Sequence, residues 1–196
     1  MSLSVPNTAP FSGVQKMWLK GYLDALNCAL APGSSSASTP VATTIVTAGL
    51  PITILWGSQT GNSEALGRKV SKMLASKGHI PTLRDMAEVS PADLAVSGNV
   101  LIITSTYGDG EPPDNAVTLH AALHASDAPL LSAVNFSILA LGDSNYPDFC
   151  KCGRDFHNRL TDLGATPLTP ITEADVDYDE PFANWIKALE NAFAAA

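Results

Sequence analysis

Val100-Leu101-Ile102-Ile103-Thr104 is an apolar run with no polar alternation. A strand wetted on one face alternates, whereas a strand covered on both faces does not, and such strands lie in the middle of parallel sheets. Covering both faces requires helices above and below, so the chain must alternate β and α elements. From Leu50 onward it does. Strands are expected at Leu50–Trp56, His79–Met86, Val100–Thr104, Val134–Leu141 and, as an edge, Thr166–Ile171. Between them, helices are expected at Glu64–Lys77, closed by Gly78, and in a short piece opened by Ser90-Pro91. Further helices are expected at Pro113–Ala125, at Phe149–Leu163, stopped by Gly164, and at Pro181–Phe193. The expected class is α/β, a doubly wound five-stranded parallel sheet over residues 50–196.

The first 49 residues stand apart from this pattern. Ser12 can cap a helix in which Val14, Met17, Trp18, Tyr22 and Leu26 recur at helical spacing, so residues 1–30 read as a helical appendage. Residues 31–49, with Pro32-Gly33-Ser34-Ser35-Ser36, read as a flexible linker. A length of 196 residues suits one domain with such an appendage. A net charge of −8 argues against nucleic acid, which needs clustered Lys and Arg, and favours a basic protein partner. Cys28, Cys150 and Cys152 are too few and too badly spaced for a disulfide framework or a four-ligand zinc site, and suggest a reducing compartment. No stretch is apolar enough to span a bilayer and no leader pattern opens the chain, so a cytoplasmic protein with no membrane partner is expected.

In a doubly wound sheet, ligands bind outside the carboxyl ends of the strands where strand order reverses. Three loops occupy such places. Ser58-Gln59-Thr60-Gly61-Asn62-Ser63 joins a strand to a helix and offers hydroxyls, backbone N–H groups and the positive end of a helix dipole. It reads either as a cradle for a phosphate monoester or as a helix cap satisfying only its own backbone. It lacks the lysine of the Walker loop and the spacing of the dinucleotide fingerprint. The second loop, Ser105-Thr106-Tyr107-Gly108-Asp109-Gly110, continues to Asn115, and the third runs Leu141-Gly142-Asp143-Ser144-Asn145-Tyr146-Pro147-Asp148-Phe149-Cys150. Tyr107 and Tyr146 sit just past two strand ends, where their rings could sandwich a flat heterocycle, with Gly108 and Gly110 admitting backbone to its edge. A planar ring joined to a phosphate is the implied ligand.

Ser-Gln-Thr-Gly-Asn-Ser, Ser-Thr-Tyr-Gly-Asp-Gly-Glu-Pro-Pro-Asp-Asn-Ala and Leu-Gly-Asp-Ser-Asn-Tyr-x-x-Phe-Cys together resemble the FMN-binding, flavodoxin-like domain of the diflavin reductases, a family that includes NADPH-cytochrome reductase and the sulfite reductase flavoprotein subunit. The resemblance covers about Ile52 to Ala194. It implies that Ser58 to Ser63 hold the FMN phosphate, that Ser105, Thr106, Tyr107 and Gly108 line the ribityl chain and ring, and that Leu141 to Cys150 close the other side. Tyr107 and Tyr146 fall on the stacking positions, and the Gly108 carbonyl falls where it can meet the flavin N5. Asp109, Glu111, Asp143 and Asp148 would disfavour an anionic reduced flavin.

The Gln15 to Leu23 segment, the Phe149-Cys150-x-x-Gly153-x-x-Phe156 stretch and Ala174-Asp175-Val176-Asp177-Tyr178 look most like the sulfite reductase branch. That branch implies a relay of electrons from NADPH through a FAD module, absent from this chain, to a haem or metal-centre acceptor such as the sulfite reductase haemoprotein. A stand-alone flavodoxin and the flavin domain of another haem-protein reductase are alternatives within the class.

Other signals are weaker. His120 and His124 lie four apart on an expected helix, without a third metal ligand in reach, and read as surface or half-buried side chains. Gly142-Asp143-Ser144 resembles a hydrolase serine motif, yet the only later histidine, His157, has Arg154 where that family carries Asp. Cys150-Lys151-Cys152 lacks the two-residue spacer of redox pairs and reads as packing. Glu173, Asp175, Asp177, Asp179 and Glu180 read equally as a solvated loop or as a docking face for a basic partner.

Overall fold

The central run forms a strand of seven residues, and Val100, Leu101, Ile102 and Ile103 within it are each 1% exposed or less. A computed structural model describes residues 49–194; the expected N-terminal helix, all but the last residue of the expected linker and Cys28 lie outside the described residues. In chain order the elements are β1 (Pro51–Gly57), α1 (Asn62–Ser76), β2 (Ile80–Asp85), a 3-10 turn (Met86–Glu88), α2 (Pro91–Ala95) and β3 (Asn99–Ser105). Then come α3 (Val117–His124), β4 (Asn135–Leu141), α4 (Lys151–Asp162), β5 (Thr166–Pro167), β6 (Thr172–Ala174) and α5 (Asp179–Ala194).

The strands are all parallel in the order β2-β1-β3-β4-β5, with β6 also paired to β4. This is the order expected of a flavodoxin-like sheet, and its direction reverses between β1 and β3. Side chains of β3 divide by parity, as period-two geometry requires. Val100 and Ile102 pack with Leu94 of α2, Leu119 and Leu123 of α3, and Phe156 and Leu160 of α4. Leu101 and Ile103 pack on the other face with Leu66, Val70 and Leu74 of α1 and with Trp185 and Leu189 of α5. Among the described residues, no helix is long and apolar enough to cross a membrane.

Two expectations are corrected. The single edge strand expected over Thr166–Ile171 is split: Phe136 pairs with Pro167 and Leu139 with Thr172, so three steps along β4 face five along the edge. Two residues are therefore looped out, and the sheet has six strands in five positions. Pro170 has no N–H for the ladder, and the Thr169 side chain is instead turned inward, 2.5 Å from Ser137 Oγ. Ser137 in turn accepts the indole N–H of the buried Trp185 at 2.7 Å, so the one polar side chain among the buried residues of β4 is fully used. The helix expected from Pro113 begins instead at Val117, because the preceding residues are committed to hydrogen bonds across the sheet's carboxyl end.

Candidate cofactor site

The three loops at the carboxyl ends of β1, β3 and β4 converge on one cleft of about 650 Å3, within the range of small-molecule sites. Thr60 and Asn62 line it from the first loop. Ser105, Thr106, Tyr107 and Gly108 do so from the second, and Leu141, Gly142, Asp143, Tyr146, Asp148, Phe149 and Cys150 from the third. Ser58, Gln59, Gly61, Ser63, Ser144 and Asn145 were expected there too, but they do not form its wall.

The first loop curls around one hydroxyl. Ser58 Oγ accepts the N–H of Gly61 at 2.9 Å and of Ser63 at 3.4 Å. Its own hydrogen is left free to point elsewhere. Gly61 caps α1 at φ +88° with nothing within 4 Å of the position a Cβ would take, so a side chain is barred by the backbone and the space outside is open. Ser63 Oγ is buried without a hydrogen-bond partner. A buried hydroxyl beside a helix start whose cap residue, Gly61, has no side chain to offer is a ready donor to an anion.

The second loop is a tight turn. Tyr107 and Glu111 exchange backbone hydrogen bonds at 2.9 and 2.8 Å. Gly108 lies between them at φ +53°, and a Cβ there would stand 2.6 Å from the Glu111 carboxylate. Thr106 is fixed at both ends: its N–H donates to the Leu141 carbonyl, and its Oγ1 accepts the Cys152 N–H at 3.2 Å. Ser105 Oγ, on the cleft wall, is likewise buried without a partner.

The third loop is tied from within and from outside. Asp143 accepts both the backbone and side-chain N–H of Asn145 at 2.9 and 2.7 Å. Asp175, just beyond β6, accepts the Ser144 N–H at 3.0 Å and also its hydroxyl. Those bonds from Ser144 hold the Asp175 carboxyl below its usual range. Cys150 ends the loop at φ +55°, with its thiol buried and donating to the Ala140 carbonyl at 3.2 Å. Burial pushes that thiol up to about 11 and Cys152 to about 12, so both are neutral packing groups at ordinary pH.

Across this cleft stand Tyr107 and Tyr146, 53% and 58% exposed on loops held rigidly beneath them. Bare rings above the cleft suit a flat heterocycle, and the unpartnered Ser63 and Ser105 hydroxyls suit an attached phosphate and hydroxylated chain. Asp175, Val176 and Tyr178 also line the cleft and were not expected to. Their signal was their position, directly after a strand paired to β4 and hence at the same carboxyl edge. The hydrolase arrangement is not formed: the Ser144 hydroxyl donates to Asp175, while His157 packs edge-on against Phe136 at the opposite end of β4. His120 and His124 stack on each other at 4.4 Å on α3.

Comparison with known proteins agrees with the cleft. The flavodoxin family model matches residues 54–185. The chain is 42% identical over 180 residues to the sulfite reductase [NADPH] flavoprotein alpha-component of Bacillus subtilis (strain 168), covering 89% of this chain and 29% of that protein. It is 40% identical over 178 residues to the protein of the same name from Shewanella sp. (strain MR-7), covering 91% and 29%. The chain thus spans under a third of the length of these relatives. Among solved structures, a flavodoxin of Streptococcus pneumonia TIGR4 superposes with a TM-score of 0.66 at 25% identity, covering 74% of this chain and 99% of that one. A mutant flavodoxin from Pseudomonas aeruginosa does so with a TM-score of 0.59 at 27% identity, covering 71% and 98%. Strand order, cleft and sequence match agree, and the chain belongs to the flavodoxin family.

Proposed function

We propose that this chain binds FMN non-covalently in the cleft and relays electrons singly, from a FAD- and NADPH-binding reductase module to a haem acceptor such as a sulfite reductase haemoprotein. Fold and family indicate FMN. The observation that carries the reading is the pairing of two exposed tyrosines with the buried, unpartnered Ser105 hydroxyl around one cleft, backed by a second such hydroxyl, Ser63, at the start of α1. The direction of the relay and its partners rest on the similarity to sulfite reductase flavoproteins along about 90% of this chain.

The residues divide the work. In the loop of Ser58, Gln59, Thr60, Gly61, Asn62 and Ser63, the hydroxyls of Ser58, Thr60 and Ser63 and the amides of Gln59, Thr60 and Asn62 are the donors for the phosphate at the start of α1. The Ser58, Gly61 and Ser63 amides fix the curl. Ser105, Thr106 and Gly108 meet the sugar chain and ring edge. Tyr107 and Tyr146 stack on the ring faces and exclude water. Leu141, Gly142 and Asp143 shape the far wall with Asp148, Phe149 and Cys150, and Ser144 and Asn145 hold that loop in place. Bound FMN supplies the redox chemistry, while the protein adjusts it by stacking, hydrogen bonding and nearby charge. Acidic groups beside the cleft oppose further negative charge on the ring. No side chain is required as a general acid or base. A cytoplasmic setting belongs to the same proposal, supported by the free thiols of Cys150 and Cys152.

The test is an absorbance titration of the purified chain. A yellow protein that takes up FMN stoichiometrically is expected. A colourless protein that leaves added FMN free would defeat the reading.

A further inference from the structure

The second loop ends in Asp114-Asn115, and this dipeptide reaches across to the end of β1. Asn115 Oδ1 accepts the Ser58 N–H at 3.0 Å. Asn115 Nδ2 donates to the Trp56 carbonyl at 3.2 Å and to Asp85 Oδ1, at the end of β2, at 2.8 Å. The amide orientation is dictated by its partners, since a backbone N–H can only donate and a carbonyl or carboxylate can only accept. Beside it, Gln59 Nε2 donates to Asp114 Oδ2 at 3.1 Å, and the Asp114 N–H donates back to Gln59 Oε1 at 3.3 Å. Asn115 itself is not part of the cleft wall.

We infer that Asn115 is a positioning residue for the anion loop: it pins Ser58, and Ser58 in turn sets the curl of residues 58–63. This rests on the cofactor reading above and deepens it. Ser58 is held at its N–H by Asn115, while its Oγ gathers the amides of Gly61 and Ser63. Removing the Asn115 amide frees Ser58 at the backbone and leaves the N–H of Ser58 without its partner. The curl that presents the helix start to an anion then loses its anchor. No other side-chain type supplies one acceptor and two donors at this reach: Asp keeps the acceptor but sets a carboxylate against Asp85, and Ala keeps nothing. The ring walls at Tyr107 and Tyr146 are held by separate bonds, so the effect is confined to the phosphate end.

FMN and riboflavin differ only in the phosphate, so their affinity ratio isolates that end of the site. Flavin-fluorescence titrations of the full chain with each flavin are compared for the wild type, Asn115→Ala and Asp114→Ala. In Asn115→Ala the preference for FMN over riboflavin falls about tenfold, the scale of one or two lost hydrogen bonds. Its riboflavin affinity changes by less than about threefold. Asp114→Ala, an exposed change that removes one acceptor from Gln59, lowers the same preference about twofold and serves as the deciding variant if Asn115→Ala does not fold. A wild type that prefers FMN and a variant that keeps the preference, whether both affinities fall together or neither does, overturns the inference alone. A wild type that binds neither flavin overturns the cofactor reading as well.

Discussion

Tyr146 is more than half exposed, yet the loop beneath it is tied by Asp143 from inside and Asp175 from outside. A ring held ready in this way loses little freedom when a ligand stacks on it, so most of the stacking energy is retained. Tyr146→Ala should therefore raise the FMN dissociation constant about tenfold, equivalent to ~1.4 kcal/mol, as read by fluorescence quenching; an unchanged constant removes Tyr146 from the stacking role. Tyr107 and Tyr146 were legible because each follows a buried strand by a few residues, where a side chain must emerge at the carboxyl edge. Cys150 was legible only in part. Its position on the third loop could be read, but its left-handed backbone and inward thiol could not, because both follow from contacts with Ala140 and Ala174 that are distant in sequence.

The pairing of α3 and α4 brings a half-buried histidine cluster together. His120 stacks on His124, meets Phe156 edge-on at 5.3 Å, and has its Nε2 3.8 Å from Asp155, which Lys151 already holds at 2.8 Å. Burial, with His124 and Lys151 nearby, lowers its affinity for a proton despite Asp155. A depressed folded value means that the unfolded chain binds more protons as pH falls below about 6.5, so stability is present above that pH and is lost beneath it. His157 shifts in the same direction through burial. Urea midpoints measured from pH 7 downward should fall in the wild type and fall less in His120→Leu; an identical acid slope would show that this cluster does not carry the effect. The depressed carboxyls of Asp93 and Asp175 act lower, below the ordinary carboxylate value of 3.8, and do not confuse the window. At this scale the strands and helices were legible from unbroken apolar runs and from the Ser, Pro and Gly residues that open and close the helices. The split of the edge strand was not, since it turns on Thr169 finding Ser137 across the sheet. The late start of α3 was hidden for the same reason, as Asp114 and Asn115 commit their hydrogen bonds to another strand's end.

For the whole molecule, a net charge of −8 meets a cleft whose neighbouring cations are engaged. Lys151 pairs with Asp155, and Arg154 pairs with Glu173 at 2.8 Å. Within the acidic stretch after β5, Glu173 and Asp175 thus have structural partners, leaving Asp177, Asp179 and Glu180 as the better candidates for steering. Electron transfer to a basic acceptor should slow about tenfold or more as salt rises from about 0.01 M to about 1 M, where the screening length falls from about 30 Å to about 3 Å. Stopped-flow rates that ignore ionic strength would exclude charge steering. The sheet's borders bear on the same encounter. An exposed strand invites a strange chain to extend it, which is how many folded proteins are drawn into fibres or exchanged dimers. Here β2 on one border contains Pro81, and the other border is broken by Pro167 and the looped-out residues before β6. Neither border offers an unbroken row of donors, so the sheet is guarded against being extended by another chain.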